Sequence, residues 1–176
     1  MHIVTRDHYP RTHSPRFGRR SAPNQIYHVI TATHHREEVF SSFRLGREVV
    51  LKLREARENE LANTIAFVVM PDHMHWLMQL GHKQTLSECV RWVKARSAYA
   101  VNRKRDSTRA VWQSGFFDAA VRHEHSLLAL SRYIVANPLR AGLVDSIGDY
   151  PLWDAVWMAK FSAADRGLTT APTTPR

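Results

Sequence analysis

The chain has 176 residues, 44 % of them hydrophobic, and a formal net charge of +9. That length and apolar share suit one domain with a real core and extended arms, and so basic a chain is expected to meet a polyanion, most often nucleic acid. No apolar run approaches the ~18–20 residues of a membrane span, so no membrane association is expected. The first 25 residues are basic and polar, so no signal peptide is expected, and the one cysteine, Cys89, excludes an internal disulfide framework and an all-cysteine zinc site. A cytoplasmic location is expected.

In chain order, residues 1–25 form a basic, proline-punctuated arm carrying Arg16, Arg19 and Arg20, expected to order on a nucleic-acid backbone. A domain over 26–160 follows. Ile26 to Thr33 is β-prone. Phe43 to Asn59 reads as a helix with Leu45, Val49, Val50, Leu53 and Ala56 on one face. Thr64 to Met70 is an apolar strand, separated by only Pro71-Asp72 from a strand bearing His73, so the two form a tight hairpin or one bent ribbon. Thr85 with Glu88 has capping-box spacing and opens a second helix, whose buried face is Leu86, Cys89, Val90, Val93 and Val101. Its other face carries Arg91, Lys94 and Arg96 and runs out through Arg103, Lys104 and Arg105, a single-signed surface suited to phosphates. Val111 to Arg122 reads as a fourth strand. Ser126 is expected to cap a third helix that Pro138 stops, with Leu127, Leu130 and Ile134 inward. Residues 161–176 read as a disordered tail. The order β-α-β-β-α-β is that of an α+β, ferredoxin-like split β-α-β sandwich: a four-stranded antiparallel sheet, helices on one face, and a C-terminal tyrosine-bearing helix.

The chemistry concentrates in two segments. On a strand alternate residues share a face, so His73, His75, Leu77 and Gln79 point one way and Met74, Trp76, Met78 and Leu80 the other. Two imidazoles at i, i+2 can chelate one divalent ion if a third ligand comes from elsewhere. On the last helix Tyr133 and Asn137 are four apart and share a face. A tyrosine hydroxyl can attack phosphorus once a metal polarises the phosphate, and the asparagine carbonyl offers an oxygen ligand. Asn137 precedes proline, which disfavours helical backbone there.

The chain resembles the REP-associated tyrosine transposases of the single-tyrosine HUH superfamily. The matching pieces are Tyr27-His28-Val29-Ile30, Met70-Pro71-Asp72-His73-Met74-His75-Trp76-Leu77, Trp112-Gln113-Ser114-Gly115-Phe116-Phe117-Asp118 and Tyr133 through Leu143, in the family's order. Asp72 stands where asparagine is more usual. The resemblance implies that His73, His75 and Asn137 hold Mg²⁺ or Mn²⁺, and that Tyr133 is the nucleophile. Single-stranded DNA is then cut and rejoined through a 5′-phosphotyrosine at hairpins formed by palindromic repeats. It implies a monomer rather than a dimer, with Arg16, Arg19 and Arg20 at the base of the hairpin.

Other histidines and tyrosines compete less well. His123-Glu124-His125 lies at a strand-to-helix junction, and on a helix i and i+2 diverge by about 200°. His34-His35 reads as a loop without a role. Tyr99 is followed four residues later by Arg103 rather than by an amide or acid. Two other functions use the same residues: a domesticated module that binds DNA hairpins without cutting, and a metal-dependent phosphodiesterase that activates water.

Overall fold

The computed structural model describes residues 21–121 and 125–156. The N-terminal arginines Arg16, Arg19 and Arg20, the pair His123-Glu124 and the C-terminal tail lie outside the described residues. The elements are β1 (Ile26–Ala32), α1 (Phe43–Glu58), β2 (Ala62–Val69), β3 (His73–Leu80), α2 (Leu86–Arg105), β4 (Phe117–Val121), α3 (His125–Val135), α4 (Asn137–Arg140) and β5 (Trp153–Ala155). The strands form one antiparallel sheet in the order β4-β1-β3-β2-β5. The first four have the ferredoxin-like arrangement, with β3 near the centre.

The alternation on β3 sorts the two faces. Met74, Trp76, Met78 and Leu80 are buried against Val49, Leu53 and Ala56 of α1 and Cys89, Val90 and Val93 of α2. Leu77 points the other way and packs with Ala66 and Val68 of β2 and Ile134 and Val135 of α3. Thus α1 and α2 cover one face while α3 covers part of the other. The capping box on α2 is formed in both directions by Thr85 and Glu88, and Cys89 is a buried core residue.

The sheet has five strands rather than four. Val69 N–H donates to the carbonyl of Leu152 (2.8 Å) and the Tyr150 hydroxyl to that of Val69 (2.7 Å), bringing the chain after α4 back beside β2. A three-residue strand is too short to show a period of two in its sequence. The strand expected over 111–122 shrinks to Phe117–Val121. Trp112 joins the sheet only through one bridge to Thr33, its indole packed on Phe40 and donating to Ser97 Oγ at 3.0 Å. Helix α3 begins at His125, so Ser126 lies in its first turn rather than at its cap.

Candidate active site

β2 and β3 are joined by a two-residue turn, Pro71-Asp72, closed by Met70 N–H to the His73 carbonyl at 2.8 Å. The turn is held from outside. The Pro71 carbonyl accepts from Phe40 N–H (2.9 Å), and that of Asp72 accepts from Thr33 N–H (2.9 Å) and from the Thr33 hydroxyl (3.0 Å). This fixes the Asp72 side chain, whose Oδ1 lies 2.5 Å from Nδ1 of His73, and whose Oδ2 accepts from Arg36 Nη1 at 3.1 Å. Arg36 reaches it from a tight turn in which His35 (φ 53°) and Arg36 (φ 58°) both adopt the left-handed conformation, unusual for non-glycine residues. Burial pushes the Asp72 carboxyl up, but the hydrogen bond and charge of His73, then Arg36, outweigh it and hold the group below its ordinary range.

His75 stands two residues on, opposite Ile30 of β1 and Val68 of β2. With helices expected on one sheet face only, the histidine face is expected to be open. Instead His75 is 0 % exposed, on the sheet face where α3 packs over Leu77, while the His73 side chain keeps 13 % exposure. Burial, reinforced by the positive charges of His73, His28, Arg140 and Arg36, keeps His75 neutral well below its usual range. Neutral imidazole is the form that ligates metals. Nδ1 of His75 faces Nε2 of His28 at 3.1 Å, and burial pushes His28 down to about 4.

Helix α3 ends at Val135, and α4 starts at Asn137 with Pro138 in its first turn, where the missing proline N–H costs nothing. Pro138 leaves the Ile134 carbonyl without its i+4 donor. Asn137 supplies it: Nδ2 donates to the carbonyls of both Tyr133 and Ile134, at 3.0 Å each. The side chain is buried at 5 % exposure rather than displayed on an open helix face. Both amide hydrogens are used, so the carbonyl oxygen is the group Asn137 can offer a ligand. Tyr133 is 39 % exposed, and Arg140 packs its guanidinium 4.4 Å from the ring centroid. The positive charge of Arg140 is also among those that help hold His75 neutral.

Among the described residues no group of three or more His, Cys, Asp or Glu side chains is arranged to hold a metal ion. The mixed set of two imidazoles and one amide oxygen nonetheless suits a divalent ion in its donor chemistry: one histidine is held neutral, the other is oriented by a carboxylate, and Asn137 has only oxygen to give.

The basic residues of α2 divide. Arg91, Arg96 and Arg103 are exposed. Lys94 instead donates to the carbonyls of Gln113 (2.7 Å) and Gly115 (3.0 Å), and burial pushes it down to about 8. Lys104 pairs with Glu48 at 2.5 Å and Arg105 with Glu37 at 4.0 Å. All six sit on a helix that packs on the sheet face opposite His75, so the structure does not bring them to the histidines. A groove of about 520 Å³ between α1 and β5, lined by Val50, Leu53, Phe67 and Trp153 among others, contains none of the candidate site residues. Sequence reasoning missed His28, Arg36 and Arg140 as members of the site. His28 and Arg140 stand inside the matching segments, yet nothing local marks their contacts.

The family model for IS200-like transposases matches residues 21–137. The chain is similar to the REP-associated tyrosine transposase of Escherichia coli (strain K12), 25 % identical over 130 residues that cover 71 % of this chain and 72 % of that one. Its fold is similar to that of a REP-associated tyrosine transposase solved bound to a REP hairpin, with a TM-score of 0.65 at 19 % identity, covering 93 % of each chain.

Proposed function

The chain belongs to the IS200-like transposase family, and from that premise we propose that it cuts and rejoins single-stranded DNA at hairpin-forming palindromic repeats through a 5′-phosphotyrosine on Tyr133. One observation carries the reading: exposed Tyr133 and buried Asn137, with its oxygen to offer, flank one helix break, and α3 packs on the sheet face that bears His75. Tyr133 Oη forms a bond to phosphorus as the bond to the 3′ oxygen breaks. The phenol proton passes to water, and the departing 3′ oxygen takes a proton to become a hydroxyl. Reversal by a 3′-hydroxyl rejoins the strand without ATP, since one phosphoester replaces another. His73, His75 and Asn137 would hold Mg²⁺ or Mn²⁺, which supplies Lewis-acid polarisation of the phosphate. Asp72 orients His73, and Arg140 places positive charge beside the scissile phosphate. Exposed Arg91, Arg96 and Arg103 would bind DNA backbone away from the chemistry, and Arg16, Arg19 and Arg20 would contact the base of the hairpin. We propose that the monomer is sufficient.

The test is a labelled hairpin-bearing single strand incubated with Mn²⁺ and run on a denaturing gel. Wild type is expected to yield a covalent protein–DNA adduct that Tyr133→Phe abolishes. Cutting that survives in Tyr133→Phe would make water the nucleophile. Hairpin binding with neither cutting nor adduct would leave a non-catalytic binding module.

A further inference from the structure

We propose that His28 is a positioning residue that sets the tautomer of His75, accepting its Nδ1–H so that Nε2 of His75 faces the metal. The inference rests on the metal-site reading above and adds a residue to it. The observation is the register: Ile30 pairs with His75 and His28 with Leu77 on adjacent antiparallel strands, so residues two apart on β1 put His28 on the same sheet face as His75. The rings are stacked with centroids 5.3 Å apart and planes 16° from parallel, and His28 Nε2 lies 3.1 Å from His75 Nδ1.

Two ring nitrogens at that distance share one proton, and the chemistry allows two arrangements. If His28 donates, neutral His75 carries its own proton on Nε2, and that nitrogen has no lone pair for a metal. If His75 donates from Nδ1, His28 carries its proton on Nδ1 and His75 Nε2 is a ligand. Only the second arrangement is compatible with metal binding, so His28 must be the acceptor. His73 receives the corresponding orientation from the Asp72 carboxylate at 2.5 Å. The two ligands are thus seated differently, one on an anion and one on a neutral ring. Partners of this kind typically change metal affinity by about 10–100-fold when removed.

The experiment uses the full chain, ¹⁵N-labelled and metal-free, with long-range ¹H–¹⁵N spectra assigning the protonated nitrogen of His75. Wild type is expected to carry the proton on Nδ1. A wild-type His75 protonated on Nε2 overturns the proposal without any variant. His28→Phe keeps a planar ring but offers no acceptor, and is expected to shift His75 towards the Nε2–H form. His28→Gln can place its Oε1 near the position of Nε2 and is expected to restore Nδ1–H. Titration with Mn²⁺ alone should show affinity falling about 10–100-fold in His28→Phe and recovering towards wild type in His28→Gln. Equal Mn²⁺ affinity in wild type and His28→Phe removes the role of His28 only. Mn²⁺ binding that is unaffected by His75→Ala removes the metal-site reading itself.

Discussion

Asn137 was legible as a polar residue four positions after Tyr133, but its work as a helix terminator was not. Its two amide hydrogens hold the last carbonyls of α3, a task created by Pro138. Asn137→Asp keeps an oxygen for a metal and a similar shape but has no amide hydrogens. It is expected to cost about 1–3 kcal/mol, the sum of two modest hydrogen bonds, read as a lower urea midpoint at pH 7. An unchanged midpoint would show that the amide does not hold the helix end. The buried histidines give a second prediction. His28 and His75 are both lowered from an ordinary 6.5, His28 to about 4. The groups acting on His75 are His73, His28, Arg140 and Arg36, all positive when charged. The unfolded chain therefore binds protons more readily than the metal-free native state once pH drops below 6.5. Stability is full above that value and falls through the window down to about 4, by about 1.4 kcal/mol per pH unit for each proton taken up. Asp72 starts from an ordinary 3.8 and is lowered further, so its contribution is lost only below this window. Urea melts from pH 7 to 4 measure the slope, and His28→Gln should reduce it.

At the scale of elements, the periodic helices were the easiest to read. The face expected for α2 is buried, that of α1 is buried at Val49, Leu53 and Ala56 and half-buried at Leu45 and Val50, and the capping box is where Thr85 and Glu88 put it. The short pieces escaped because they have no period: β5 is three residues and α4 is four. Their positions follow from side chains reaching across the fold, such as the Tyr150 hydroxyl on the Val69 carbonyl. Gly81 shows the same dependence on packing. Its N–H donates to the Leu61 carbonyl at 2.9 Å, and a Cβ there would meet the carbonyl oxygens of Glu60 at 2.1 Å and Leu61 at 2.9 Å. Backbone cannot move aside as a flexible side chain can. Gly81→Ala is expected to destabilise by about 1–3 kcal/mol, with the thermal midpoint as the measure. A midpoint equal to wild type would mean that the α1–β2 connection gives way freely.

Across the whole molecule, the sheet separates two kinds of surface. The proposed chemistry lies on the face under α3, whereas the arginines of α2 lie beyond the helices on the other face. The triple variant Arg91→Ala, Arg96→Ala, Arg103→Ala is therefore expected to weaken DNA binding without slowing cleavage at saturating DNA. Its log–log salt slope should fall by about 0.7 for each phosphate that an arginine no longer neutralises; an unchanged slope would remove α2 from the DNA path. The sequence by itself determined the positive charge, the order of the first four strands and the three longer helices, and the sorting of β3 into a histidine side and an apolar side. Those features depend on composition and on covalent periods of two and 3.6 residues, which local residues carry. Only the tertiary structure decided that His75 is sealed from solvent and that His28 stands against it. It also decided that Asp72 and Arg36 hold the turn beside His73, and that Lys94 is spent on backbone carbonyls. Those contacts join segments far apart in the chain. Strand register and helix docking choose which side chains meet, and burial then decides which proton each one keeps.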